Sequence, residues 1–570
     1  MRYVPAVLLP LVLAVSVSAQ QQTWNQWAGG PSHNGSLPVT AHRFAKQLAN
    51  IVVDPFADDA RAEAGGALLV HYQTPLSDGT DVFMEVKSGA YTGFRTWETQ
   101  TWNVRKFRWE DGQLVAKWTA ESDWKPVPSG GARFEPVFHA ALTKQFVYMA
   151  GGGGTVLEVD RETGAITRRL GQFAASPDSR MFVTSPITID GQGNLYYNAV
   201  RLAAQDPWTT DILGAWLVKV QPDGTPSRAS YSSLVPDAPT MCTGEFQSST
   251  LPWPPSPNAV PAAVPCGSQR AGINLAPAVG ADGTVYTVAR AHLNSRWGRL
   301  IAVRPDLTLK WTATLRNRFH DGCNVLLPPN GTPGGCRAGA TTGVDPADNQ
   351  PGSGSVNDNS TSSPVVAPDG TIYYGSYTRY NYSQGHMMRF SAEGEFLSAY
   401  SFGWDVTPAI WQHDGTFSLI TKENRYVGTP SYCGSCSSNR IPSAPEGYYI
   451  TQLDPALQVE WQYKATNTES CERLENGSVE CFNDHPETFE WCVNSLAVDR
   501  RGVVYVNSED GHLYAIDQGG TVRERIFLQL ALGAAYTPLS LGVDGRIYTQ
   551  NAGRLFVVGL DTVKRRAVRR

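Results

Sequence analysis

The sequence predicts an all-β protein: an eight-bladed β-propeller of four-stranded antiparallel blades, its ring closed by a strand near the start of the mature chain. Three observations predict it. One motif recurs eight times, no long window carries helical periodicity, and the last copy lacks a fourth strand that a segment near the start can supply.

The motif is a small or polar residue and proline, an apolar strand, Asp-Gly, then a second strand containing tyrosine. Clear copies are Ala276-Pro277-Ala278-Val279 with Asp282-Gly283 and Tyr286, and Ser363-Pro364-Val365-Val366 with Asp369-Gly370 and Tyr373. Thr537-Pro538-Leu539 with Asp544-Gly545 and Tyr548, and Ser185-Pro186-Ile187 with Gly193 and Tyr196, are two more. Looser copies begin at Thr74-Pro75, Glu135-Pro136 and Thr407-Pro408, and Asn494-Ser495 replaces the proline in the copy that reaches Tyr505. Third and fourth strands follow, as in Leu300–Val303 then Leu309–Trp311. Short strands separated by Gly/Asp turns at these intervals are the pattern of propeller blades. The last copy stops at Leu555–Val558, and Lys46–Val53 reads as the missing fourth strand, whose pairing would remove two exposed edges.

The flanks read as follows. Met1-Arg2, an apolar run from Tyr3 to Val17 and Ser18-Ala19 form a secretory signal peptide over residues 1–19. That run is broken by Pro5 and Pro10, and no later stretch approaches the roughly 20 apolar residues of a membrane span. The propeller is expected over 20–563, with a basic tail at 564–570. The tail reads as a solvated terminus, and a net charge of -5 without other basic clusters argues against nucleic acid as a partner. A secreted or periplasmic location follows.

Nine cysteines in an exported chain read as disulfides. Neighbours suggest Cys242–Cys266, Cys323–Cys336 and Cys471–Cys481. Cys433, Cys436 and Cys492 remain, and one must be left over. Cys433-Gly-Ser-Cys436 has redox spacing, but without a β-α-β context it reads as a structural staple.

Thr23-Trp24-Asn25-Gln26-Trp27-Ala28-Gly29-Gly30-Pro31-Ser32-His33-Asn34-Gly35 resembles the leading segment of pyrroloquinoline-quinone-like (quinoprotein-type) propellers. Leu513–Asp517 and Leu157–Gly164 resemble their blade repeat. The motifs are degenerate: the family repeat usually ends in tryptophan after Thr-Gly-Glu, and only Trp118, Trp311 and Trp461 occupy comparable places. The resemblance implies an active-site option, with pyrroloquinoline quinone stacked on a tryptophan, calcium held by carboxylate and amide oxygens, and an aspartate base. Glu135, Asn274 and Asp405 supply those chemical types, and Trp404 could stack. The adjacent Cys-Cys pair of many such dehydrogenases and a CxxCH haem motif are both absent from the sequence.

In such blades the 1–2 and 3–4 turns emerge on one rim, and the 2–3 turns and blade-to-blade connections on the other. The first set is short here. The second holds the insertions: 230–274, 315–361 and 466–493 between blades, and 88–104, 203–213, 377–385 and 422–447 within them. All nine cysteines fall there. Long cross-linked loops tend to be functional, so this is expected to be the working rim and the other a bare support.

Residues that begin the first strands should ring the channel mouth on that rim: Tyr72, Thr74, Arg133, Glu135, Ser185, Asn274, Ser363, Asp405, Thr407, Asn494 and Thr537. The serines and threonines read as caps for strand-end backbone. Arg133, Glu135 and Asp405 could orient a polar ligand, the alternative being an Arg133–Glu135 ion pair. Arg133, Glu135, Asn274, Trp404, Asp405 and Asn494 are therefore the candidate ligand-binding residues, with Asp405 and Glu135 the catalytic candidates. Inserted-loop aromatics (Trp97, Trp102, Trp124, Trp208, Trp253, Trp297, Trp491, with Tyr377, Tyr380 and Tyr382) read singly as packing and as a set as potential ligand platforms. The oxygen-rich stretch Asp348–Asn359 lacks EF-hand spacing and reads as a mobile polar loop, Gly151–Gly154 as a flexible turn, and the histidines show no metal spacing.

Three functions compete. Favoured is an extracytoplasmic ligand- or protein-binding scaffold acting through the elaborated rim, with a small molecule, a glycan or an extracytoplasmic protein as partner. The alternatives are a quinone- and calcium-dependent dehydrogenase and a polysaccharide lyase or glycoside hydrolase, which would need an acid or base among the ring residues.

Overall fold

The computed structural model describes residues 23–560 except 69, 130–134, 247–258, 319–347, 349, 351–353, 379–382, 427–445 and 534–535. Eight antiparallel sheets follow one another along the chain, each of four strands, with an extra inner strand in the third and fourth. Blade one runs Leu76–Ser77, Asp81–Gly89, Gln100–Glu110 and Gln113–Glu121. The first strands of successive blades begin at Ala141, Thr188, Ala278, Val365, Ala409, Ala497 and Ser540. The eighth blade is completed from the other end of the chain. Lys46–Val52 pairs antiparallel with Arg554–Gly559, so the ring closes as the orphan strand predicted.

The middle strands are apolar on both faces because each blade is covered by its two neighbours. Val285–Ala291 and Leu513–Ile516 are buried throughout, while the outer strand Val459–Lys464 alternates between exposed and half-buried. The repeated Asp-Gly is a turn device. Asp369 accepts the Thr371 backbone N–H at 2.9 Å, and Gly370 sits at φ +84°, where a side chain is strained. Trp118, Trp311 and Trp461 lock consecutive blades together. Each lies over a glycine in the 3–4 turn of the next blade (Gly164, Gly394, Gly520), where an added Cβ would meet the indole at 2.7, 2.6 and 3.1 Å.

The leading segment does something the sequence did not disclose. It visits the blades in chain order, pairing Trp24 with Ser77, Asn25 with Leu142, Gln26 with Ile189, Pro31 with Val279, Ser32 with Val366, Asn34 with Ile410 and Gly35 with Val498, before His42 reaches Gly545 of the eighth. These partners lie at the far ends of the first strands. The segment is therefore a plug across the short-turn rim, with Trp27 fully buried and its Nε1 donating to Thr407 Oγ1 at 3.2 Å. That rim is not a bare support.

Two further expectations are corrected. Gly152–Gly154 is a tight turn packed under the next blade; an added Cβ at Gly154 would lie 2.2 Å from Met181 Cγ, so close approach, not flexibility, calls for glycine. In the 348–359 stretch the described acids are anchors. Asp348 is wholly buried against Arg316, and Asp358 is held between Arg270 and Arg290.

Candidate functional site

The elaborated rim carries three buried charge clusters. The first joins blades one and two. Lys87 lies two residues before the end of the second strand of blade one, after the buried run Val82–Val86, and its Nζ lies 2.9 Å from Asp54 Oδ2 and 2.8 Å from Glu135 Oε2. All three side chains are at most 3% exposed. Tyr72 donates to Asp54 at 2.7 Å and Trp102 Nε1 to Glu135 Oε1 at 3.2 Å. Burial pushes the Glu135 carboxyl up despite Lys87. Lys87 itself is held above its usual range because the surrounding carboxylates outweigh its burial.

The second cluster lies between blades six, seven and eight. Asp405 forms an ion pair with Lys422, both nearly inaccessible, and the Lys422 ammonium lies 5.8 Å from the Tyr536 ring centroid. Nearby Glu490 accepts the Tyr426 hydroxyl at 2.8 Å, and the buried free thiol of Cys492 interacts with the Glu509 carboxyl. Burial, then the neighbouring Glu509, pushes Glu490 up to about 8, and burial raises Glu509 as well. Asn494 is fully buried; its amide donates to the Tyr536 carbonyl while its Oδ1 has no partner among the described residues.

In the third cluster, Arg270 Nη1 and Arg290 Nη1 reach Asp358 at 2.8 and 3.0 Å. Burial would raise the Asp358 carboxyl, but the two guanidiniums hold it below its usual range. Asn274, at φ +70°, accepts the Val137 N–H through Oδ1 at 2.9 Å and donates to the Asp358 carbonyl.

Of the ligand residues expected from the sequence, Glu135, Asn274, Asp405 and Asn494 are thus brought to one rim but buried in its wall. Trp404 is half-buried beside Tyr377, with ring centroids 4.6 Å apart. Arg133, Trp253, Tyr380, Tyr382, Cys323, Cys336, Cys433 and Cys436 lie outside the described residues. The expected focusing of field by Glu135 and Asp405 is met by internal neutralisation. The sequence reading missed the cations responsible, Lys87 and Lys422. The available signal was a lysine set in the largely apolar second strand of a blade, as Lys87 is after Val82-Phe83-Met84-Glu85-Val86.

Cys242–Cys266 and Cys471–Cys481 are bonded as expected from their spacing. Each staples a two-stranded hairpin that is hydrogen-bonded to the disc, Met241–Thr243 with Ala263–Pro265 and Glu469–Arg473 with Val479–Asn483. Exposed apolar side chains gather here: Leu213, Met241, Val260 and Val264 around the first, Val479 and Phe482 on the second. Two depressions, of about 730 and 500 Å³, flank the plug on the opposite rim. Their carboxylates are engaged in local turns: Asp190 accepts the Gln192 and Asn194 N–H groups and Asp282 that of Thr284. We therefore place the candidate site on the elaborated rim.

A pH dependence follows from Glu490. Its folded-state pKa, about 8, lies above the ordinary carboxyl value, so the folded protein binds the extra proton between roughly pH 4.5 and 8. Stability is expected to fall as pH rises through that window and to level off above it. Glu490→Gln should flatten the slope and be the more stable form at pH 8, as read from urea midpoints at pH 5, 6.5 and 8.

The fold and rim together define an eight-bladed propeller with one plugged and one elaborated rim. Solved structures that share the ring include a europium-containing methanol dehydrogenase, with a TM-score of 0.51 at 11% identity over 93% of this chain and 89% of that one. A quinohemoprotein alcohol dehydrogenase from Comamonas testosteroni gives 0.50 at 11% over 95% and 81%. BamB from Moraxella catarrhalis gives 0.41 at 12% over 90% and 99%. At these identities the likeness to the two dehydrogenases shows the fold alone. No protein-family model and no curated protein matches the chain.

Proposed function

We propose that this protein is an extracytoplasmic binding scaffold that engages a partner through its elaborated rim. The observation that carries the reading is the gathering of exposed apolar groups on two disulfide-braced hairpins of that rim, since rigid presentation of apolar surface lowers the ordering cost of association.

The quinone-dependent alternative meets a chemical obstacle. A calcium ion at Glu135 would share its carboxylate with the Lys87 ammonium 2.8 Å away. Asp405, the base candidate, is committed to Lys422, and the Asn274 oxygen is engaged by a backbone N–H. These residues do not fit a cation-plus-quinone site, and we derive no reaction through one.

The test is site-specific photo-crosslinking in the extracytoplasmic fraction of the source cells. Crosslinkers at Met241 and Phe482 are expected to yield discrete adducts, and ones at Asp414 and Asp369 on the plugged rim none. Adducts only from the plugged rim would overturn the proposal. So would saturable thermal stabilisation by the quinone with calcium, accompanied by dye-linked alcohol oxidation.

A further inference from the structure

The Cys471–Cys481 hairpin presents a built but unpaired sheet edge. Its inner strand is fastened to the disc. The Arg473 N–H donates to the Gln529 carbonyl and the Ala531 N–H to the Cys471 carbonyl, each at 2.8 Å, and Arg473 Nε reaches the Leu528 carbonyl at 3.0 Å. Its outer strand, Val479–Asn483, pairs with nothing else among the described residues, and residues 475–484 are exposed without a break.

The register says which groups face outward. Leu474 donates to the Ser478 carbonyl, so the hydrogen-bonded pairs alternate from there through Glu472/Glu480 to Ser470/Phe482. The backbone N–H and C=O of Val479, Cys481 and Asn483 therefore point away from the inner strand. Phe482, 65% exposed, projects on the same face as Glu480.

Charge selects the occupant. Between Asn467 and Glu487 the exposed carboxylates Glu469, Glu472, Glu475, Glu480, Asp484 and Glu487 stand against the single arginine Arg473, a formal net of -5 that equals that of the whole chain. Two such hairpins repel each other, which disfavours a second copy of this chain and matches the usual protection of edge strands by charge. A lysine- or arginine-bearing strand meets the opposite situation.

We propose that the outer strand of this hairpin is a docking edge for an extended basic segment of a partner protein, added as a third strand with an apolar side chain seated on Phe482. This rests on the scaffold reading and names the partner chemistry for it.

The test uses the intact protein and three blocked peptides: Lys-Val-Lys-Val-Lys-Val-Lys, its glutamate counterpart, and a lysine peptide of equal charge whose valines are prolines. Calorimetry is expected to show binding of the first only, weakened at least tenfold by the exposed double change Glu472→Gln/Glu480→Gln. Amide exchange should slow at Val479, Cys481 and Asn483. Equal binding of the proline peptide would overturn strand addition, because proline cannot donate to the ladder. Binding unaffected by the double change, no binding, or slowed exchange confined to other loops would overturn the hairpin assignment. In the last case crosslinks from Met241 would still uphold the scaffold reading, and their absence would remove both.

Discussion

Replacing Lys87 with methionine is expected to destabilise the protein by about 3–5 kcal/mol, the usual cost of removing one partner from a buried ion pair. The lysine is the sole cation touching Asp54 and Glu135 among the described contacts, and Glu85 is buried close by with its carboxyl pushed up. Methionine fills much of the same volume, so the loss is electrostatic rather than a cavity. Without the ammonium the Glu135 and Glu85 carboxyls, already pushed up by burial, lose the cation that opposes the shift and hold their protons to still higher pH than in the unfolded chain. Stability of the variant is then lost as pH rises, so the deficit should be largest at pH 8 and shrink toward pH 4. Urea midpoints across that range check the sign. Adding Asp54→Asn and Glu135→Gln should recover much of the loss, because polar groups without charge replace the uncompensated pair. A loss below about 1 kcal/mol at pH 8 would mean that the cluster is not sealed from water.

Trp27→Ala is expected to cost a similar amount, about 3–5 kcal/mol, as large-to-small changes at fully buried aromatics do. The indole sits at the centre of the plug, edge-on to His139 with centroids 5.4 Å apart, and its N–H reaches Thr407. His33 and His139 beside it are held at about 4 and about 3 by burial, so both are neutral at physiological pH and the plug carries no charge there. Because one residue pins a segment that touches every blade, the change should also speed amide exchange at Ile189, Val279, Val366, Ile410 and Val498, whose N–H groups donate to that segment. An unchanged exchange pattern would show that the strand-end contacts hold without the tryptophan.

The blades were legible because each is specified locally. The Asp-Gly turn, the buried tyrosine and the apolar middle strands recur in most copies, and a two-residue period needs only neighbours to be recognised. The ring closure was legible for the same reason, since Lys46–Val52 has a strand's pattern and the last blade lacks one. The tryptophan-over-glycine locks were visible as Trp118, Trp311 and Trp461, though their partners in the next blade were not.

The candidate site divides differently. Residue types at the channel mouth followed from the repeat register, which is why Glu135, Asn274, Asp405 and Asn494 arrive at one rim. Whether a carboxylate there is free or spoken for depends on groups far away in the chain, and Lys87 lies 48 residues from Glu135. The plug is the same kind of fact. Thr23–Gly35 has no repeat of its own, and its role arises from hydrogen bonds to blades spread over the chain.

The sequence by itself determined the all-β class, the eight blades, their closure and which connections are long, because periodicity and turn chemistry are written in contiguous residues. Only the tertiary structure decided that the mouth carboxylates are neutralised by buried lysines, that the leading segment plugs one rim, and that the Cys471–Cys481 hairpin has an acidic edge unpaired among the described residues. Burial and charge pairing are set by groups that become neighbours when the ring closes, and no local pattern encodes them.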